Sequence, residues 1–302
     1  MQSNLTPESL ADQADTLAKS GDLAGAIAHL KQAVKVQPYF MSGWMRLSQI
    51  LFETDHFKEA VQVTQAAERF DPLAEDFAQI QSAMQSQQFA KAEHAAQQML
   101  IKQPGHPRAA FTLAHLAGAK NNPENKVKAL QLGLSHFPAS LVLRHMLIGA
   151  SEEAGDYAGA IKAARILVQT EESFPSLWAL ITVLLRYGLN EELLEVCDRA
   201  CDVAGSDPKK LSEIELVRGQ TLRVMGQRED SIAAYRKCLA HNRENAGAWW
   251  ALADMKNFEF SDVDSDAIRA LIDTRPQSDP DRCIATFALA KAAESAGDWD
   301  TC

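Results

Sequence analysis

The stretch from Trp44 to Pro72, WMRLSQILFETDHFKEAVQVTQAAERFDP, decides the fold. Trp44, Leu47 and Leu51 lie at i, i+3 and i+7 and form one apolar stripe on a first helix. Asp55-His56 interrupt that pattern, and Phe57 opens a second helix. Ala60 and Ala67 are small where the two helices must cross, because a larger side chain would hold the axes apart. Pro72 cannot continue the second helix, so the chain turns and the unit begins again. Such a unit cannot bury its own apolar faces and is stable only when stacked on copies of itself. The copies are present: Pro38 lies 34 residues before Pro72, and Pro138 lies 34 residues after Pro104.

Working outward, the spacing predicts repeats at 7–40, 41–72, 73–106, 107–140, 141–174, 175–208 and 212–245, with a partial unit at 246–256. Thr6-Pro7 caps the first helix, and Gly21-Asp22 turns it into the second, marked by Ala26, Leu30 and Ala33. The third repeat has lost two residues from its first helix and recovers at Phe89, Ala92, Met99 and Pro104. The fourth puts Lys126 at its first small-residue position, so a more open helix pair is expected there. Gly155-Asp156-Tyr157 and Ala160 mark the fifth repeat, and Gly188-Leu189-Asn190 turns the sixth. Residues 1–256 therefore read as one array. From 257 to 302 the rhythm fails: Phe258-Glu259-Phe260-Ser261 replaces the turn, and a short helix is expected from about Asp264 to Asp273. The helix that follows Asp279-Pro280 reads as the first half of a ninth unit, ending at Gly297-Asp298-Trp299. The chain stops at Cys302, where the partner helix of that unit should begin, so it reads as a piece of something longer or as an altered ending.

Composition agrees with closely packed helices. Of 302 residues, 46% are hydrophobic but only 7% aromatic, and the Val/Ile runs that make strands are missing, so the expected class is all-α. The formal net charge of -10 argues against nucleic acid as a main partner. MQSNLTPESLADQ has neither a basic nor an apolar leader region, and no apolar run approaches the roughly 18 residues of a membrane span. Membranes are therefore not an expected partner. The cytoplasm is the simplest compartment, although a mature periplasmic fragment would look the same.

These offsets resemble the tetratricopeptide repeat family across nearly the whole chain, most specifically in repeats one, two and seven. The resemblance implies a right-handed superhelix, an α-solenoid of antiparallel helix pairs that binds a protein or peptide in its concave groove. A homo-oligomer is left open. A narrower resemblance rests on Trp249-Trp250-Ala251-Leu252-Ala253-Asp254-Met255-Lys256, Phe258, an Asp-rich short helix, Phe287-Ala288-Leu289-Ala290-Lys291-Ala292 and Gly297-Asp298-Trp299. It is similar to the end of the array in bacterial tetratricopeptide-repeat sulfotransferases, whose catalytic domain uses phosphoadenosine phosphosulfate. That family's Pro-Arg-Ser-Gly-Thr donor loop is not matched in 1–302, so the resemblance implies repeats without the chemistry and no cofactor in this chain. The alternative is a free-standing adaptor with no enzyme attached.

No phosphate loop, dinucleotide fingerprint, H-E-x-x-H or nucleophile elbow occurs, and the eight histidines lack ligand spacing, so no catalytic residue or metal site is assigned. Asp262, Asp264, Asp266 and Asp273 match positions 1, 3, 5 and 12 of a calcium loop, but Ala267 stands where that loop needs glycine. An acidic helix N-terminus is the better reading. Cys197 and Cys201 are one turn apart, yet Cys201 and Cys238 occupy small-residue packing positions, so packing is favoured over metal.

By family positions, the first helices offer Arg46, Gln49, Phe52, Phe77, Gln81, Met84, Arg108, Phe111, His115, His145, Arg186, Gln220, Arg223, Trp250 and Asp254 to a groove. Aromatic and Met side chains interleaved with Arg and Gln suit an extended peptide or short helix. For Phe77, Met84 and Phe111, packing between repeats is an equally open reading. The Lys/Asn pair by which some arrays hold a C-terminal carboxylate is missing from the matching positions.

Overall fold

The computed structural model describes residues 6–256 and 258–296, which form two compact units, Met1–Glu172 and Ser173–Cys302. Seventeen helices and no strand occur among the described residues, as the all-α expectation requires. Gly297-Asp298-Trp299 and Cys302 lie outside the described residues.

The first unit holds α1 (Pro7–Lys19), α2 (Leu23–Val36), α3 (Met41–Glu53), α4 (Phe57–Arg69) and α5 (Ala74–Gln85). It continues through α6 (Phe89–Lys102), α7 (Pro107–Ala119), α8 (Pro123–His136), α9 (Leu141–Glu153) and α10 (Tyr157–Thr170). They pack as antiparallel pairs, α1 on α2 through α9 on α10. Ala26, Ala60 and Ala160 have no exposed surface, so the small residues do sit at the crossings. Each pair turns through one residue at positive φ: Gly21 (89°), Asp55 (59°), Gln87 (56°), Asn121 (53°) and Gly155 (75°). These positions are 34 residues apart except from Asp55 to Gln87, which are 32 apart, so the shortening of the third repeat is real.

That repeat changes the packing around it. α5 buries only Ile80 and Ala83, whereas α3 buries seven residues including Trp44, Leu47 and Leu51. With so little apolar area on α5, α4 and α5 lack the close packing that joins the other consecutive pairs in this unit. Instead α3 touches α8 and α4 touches α10. Phe137, after α8, is fully buried in the core that α1–α4 build from Leu30, Met41, Trp44 and Leu51. Separate cores hold α5–α7, around Ile80, Met99 and Leu116, and α7–α9, around Leu130, Leu134 and Leu143.

The fourth pair is not opened by Lys126. α7 and α8 pack as closely as their neighbours: the lysine stem runs past Gly118 and carries its ammonium out to Glu153 at 2.8 Å.

The second unit runs through α11 (Phe174–Tyr187), α12 (Asn190–Ala204), α13 (Pro208–Val224), α14 (Arg228–His241), α15 (Ala246–Ala253), α16 (Asp262–Thr274) and α17 (Pro280–Ala296). Successive helices pack in order from α11 to α15. The order then changes: α17, expected to open a ninth pair, packs closely on both α15 and α16, while α15 and α16 barely meet. Ile268, Leu271, Ala285 and Ala288 join Tyr235, Trp249 and Leu252 in one core there.

One tie recurs at the fourth residue of a first helix. Trp44 Nε1 donates to the Pro38 carbonyl at 2.7 Å, and Trp249 Nε1 donates to the Arg243 carbonyl at 2.8 Å. The Arg144 guanidinium, also a fourth residue, donates to the Pro138 carbonyl. Each bond satisfies a carbonyl left free at the end of the preceding segment.

Candidate partner-binding site

Much of the expected inner wall of the first unit is occupied by the chain itself. Arg46 pairs with Asp15 at 3.1 Å and lies 3.9 Å from Asp12. Gln49 Nε2 donates to the Ser135 carbonyl at 2.7 Å. Phe52 meets Phe57 edge-on at 5.2 Å and lies under the Arg144 guanidinium at 5.5 Å. Met84 is half-buried against the α5–α7 core. Gln81, His115 and His145 remain exposed.

Phe77, Arg108 and Phe111 do converge. With Glu68, Pro107, Ser140, Val142 and Leu143 they line a cleft of about 170 Å³. Arg108 spans its floor: the guanidinium stands 5.0 Å over the Phe77 ring, reaches Asp71 at 3.3 Å and donates to the Glu68 carbonyl at 3.0 Å. Phe111 and Val142 are 40% and 59% exposed at the mouth.

Behind the cleft lies a buried polar knot. Asp71 Oδ1 accepts from His106 Nε2 at 3.0 Å and from the Leu73 N–H at 2.8 Å, and both side chains are almost fully buried. Burial alone would push the Asp71 carboxyl up, but the His106 contact, the Leu73 N–H and Arg108 together hold it below its usual value. Glu68 behaves oppositely. Loss of water on its inner side raises its carboxyl, and the pull of Arg108 and His106 does not offset that. The Glu68 carboxylate accepts no hydrogen bond and closes no ion pair among the described residues.

In the second unit the expected residues stay nearer to solvent. Arg223 pairs with Asp254 at 2.6 Å, and Trp250, 40% exposed, meets Phe287 edge-on at 6.5 Å. Gln220 and Arg186 are exposed on α13 and α11. The acidic run at 262–273 lies on α16 and does not form a loop. Asp264 closes a capping box with Ser261 and is gripped by Arg236 at 2.6 and 2.8 Å. Those bonds outweigh burial and bring its carboxyl down to about 2. Burial pushes the Cys197 thiol up to about 12, as suits a packing cysteine. Among the described residues, no three His, Cys, Asp or Glu side chains are placed to hold a metal, and no helix is long and apolar enough to cross a membrane.

Glu68, Asp71, Val142 and Phe287 were missed from sequence. Glu68 and Asp71 follow from the end of a second helix, which the groove positions ignore. Val142 was readable, since it puts an apolar side chain at the helix position held by Ser42, Glu75 and Arg108 in repeats two to four.

Paired helices repeated in series, with small residues at the crossings, define a helical-repeat fold. Residues 17–84 and 216–255 match family models described as tetratricopeptide repeat, and the chain carries that repeat in both units. No curated protein matches the sequence. Among solved structures, a chain in the structure of Naa15/Naa10 bound to HypK-THB is 15% identical, with 96% of this chain and 46% of that chain covered at a TM-score of 0.50. The C-terminal part of a repeat-containing protein from Cytophaga hutchinsonii is 12% identical, with 80% and 98% covered, also at 0.50. YrrB, titled a TPR protein with an unusual peptide-binding site, is 11% identical, with 72% and 95% covered at 0.40. The first two likenesses concern the fold, and none of these matches is to a sulfotransferase.

Proposed function

We propose that this chain is a protein-interaction module that grips a protein or peptide segment through side chains of its first helices. The observation that carries this reading is the convergence of Phe77, Arg108 and Phe111 on one cleft whose mouth keeps Phe111 and Val142 in water. At about 170 Å³ the cleft is smaller than the roughly 300–1,000 Å³ of small-molecule sites, so it suits one side chain of a larger partner. In the second unit, Trp250 and Phe287 offer a further exposed aromatic contact. The compartment in keeping with this reading is the cytoplasm.

Capture of partners by the full chain tests it, with Phe111→Ala and Trp250→Ala as comparators. Loss of capture by either variant at an unchanged melting temperature supports the reading, and full capture by both counts against it. A finer reading, from the resemblance of the Trp249–Trp299 region, puts a sulfotransferase-type domain after the array, to which the bound partner is presented. Reading the gene past Cys302 tests that part: a Pro-Arg-Ser-Gly-type loop supports it, and a stop codon removes it.

A further inference from the structure

The charge around the cleft in the first unit is unbalanced. Arg108 is the cation at its floor, and it is already committed to Asp71, to the Glu68 carbonyl and to the face of Phe77. Asp71 is itself satisfied by His106, Arg108 and the Leu73 N–H. The Glu68 carboxylate is left over at the rim, without a hydrogen bond or ion pair among the described residues and beside an apolar opening. An unpaired carboxylate beside an apolar opening is placed to take a cation brought in with an apolar neighbour. The chain as a whole is acidic, at -10, which favours approach of a basic partner.

We propose that this cleft is a docking subsite for a basic partner segment. One aliphatic or aromatic side chain enters between Phe77, Phe111 and Val142, and a neighbouring Lys or Arg reaches the Glu68 carboxylate. This rests on the interaction-module reading and adds the chemistry of the occupant. The side chains that set the preference come from four helices: Glu68 from α4, Phe77 from α5, Phe111 from α7 and Val142 from α9. The subsite therefore exists only in the folded unit and is not carried by any single repeat.

The test titrates the full chain with an acetylated, amidated peptide of sequence Ala-Lys-Leu-Ala-Lys-Leu and with its counterpart carrying Glu in place of Lys. The basic peptide is expected to bind and the acidic one to bind at least roughly tenfold more weakly, the scale of one charge-assisted hydrogen bond. Glu68→Gln and Phe111→Ala should each weaken the basic peptide by about the same factor. Glu229→Gln, which removes the same charge from a residue that does not line the cleft, should leave binding within about twofold. Equal weakening by Glu229→Gln and Glu68→Gln would overturn the proposal, as would equal binding of the two peptides or no binding of the basic one at millimolar concentration. Partner capture that survives Glu68→Gln but is lost with Trp250→Ala would overturn this subsite alone and leave the interaction-module reading standing.

Discussion

The two units are built from the same helix pair and use it differently. In the second, α11 to α15 each pack on the next, and only the last helices depart from that order. In the first, the order is broken in the middle: α4 and α5 lack close packing, and α3 and α4 reach past the third repeat to α8 and α10. The difference follows from one helix. α5, AEDFAQIQSAMQ, has apolar area enough to hold α6 but not to hold α4 as well. The faces left open on α3 and α4 are then covered by Phe137 and its neighbours. A repeat array is a sum of neighbour interfaces, so one weak interface allows a non-neighbour contact to replace it. The inner wall of repeat two is covered as a result, and the open cleft moves to Phe77, Arg108 and Phe111.

The largest expected effect comes from the knot behind that cleft. Asp71→Ala removes the acceptor of both His106 and Arg108 and should cost about 3–5 kcal/mol, measured by denaturant unfolding. Hydrogen exchange should show that loss in α3, α4, α7 and α8 and leave α11–α14 unchanged, which would separate the units directly. Gly105→Ala should cost about 2–3 kcal/mol, because Gly105 holds a φ of 71° and an added Cβ would stand 2.1 Å from the His136 ring. Ala60→Leu, at a fully buried crossing, should cost about 1–3 kcal/mol, and an unchanged melting temperature would show that the repeat register is wrong there.

Much of this comparison was readable in advance and part of it was not. The turns at Gly21, Asp55, Gly155 and Gly188 and the crossings at Ala26, Ala60 and Ala160 are local steric demands, and local sequence expresses them. So is the shortened first helix of repeat three. Its consequence was hidden, because contact between α3 and α8 depends on what α5 fails to bury and not on any motif at either end. For the same reason Gln49 and Phe52 read as groove residues yet bond to Ser135 and lie under Arg144. Lys126 misled in the other direction, since its ammonium reaches out to Glu153 and the helix pair stays closed.

Smaller effects probe the second unit. Asp264 has its carboxyl lowered from 3.8 to about 2, so its contribution is fully present above pH 3.8 and is lost as pH falls toward 2. Asp264→Asn should therefore melt lower than wild type at neutral pH and show a flatter decline between pH 4 and 2, measured by thermal melts across that range. Smallest of all, and back in the first unit, Gln87→Gly should gain about 0.5–1 kcal/mol. It removes the cost of a side chain at a φ of 56° and gives back part of the gain as unfolded-state entropy.

The covering of repeat two by its own chain is tested most directly by a photo-crosslinking residue, p-benzoylphenylalanine, placed at Gln49. Irradiation of the monomer should link that position to the peptide spanning 135–144, since Gln49 Nε2 stands 2.7 Å from the Ser135 carbonyl. Links confined to α1, α2 and α4, with none to 135–144, would contradict it and restore an open groove at repeat two.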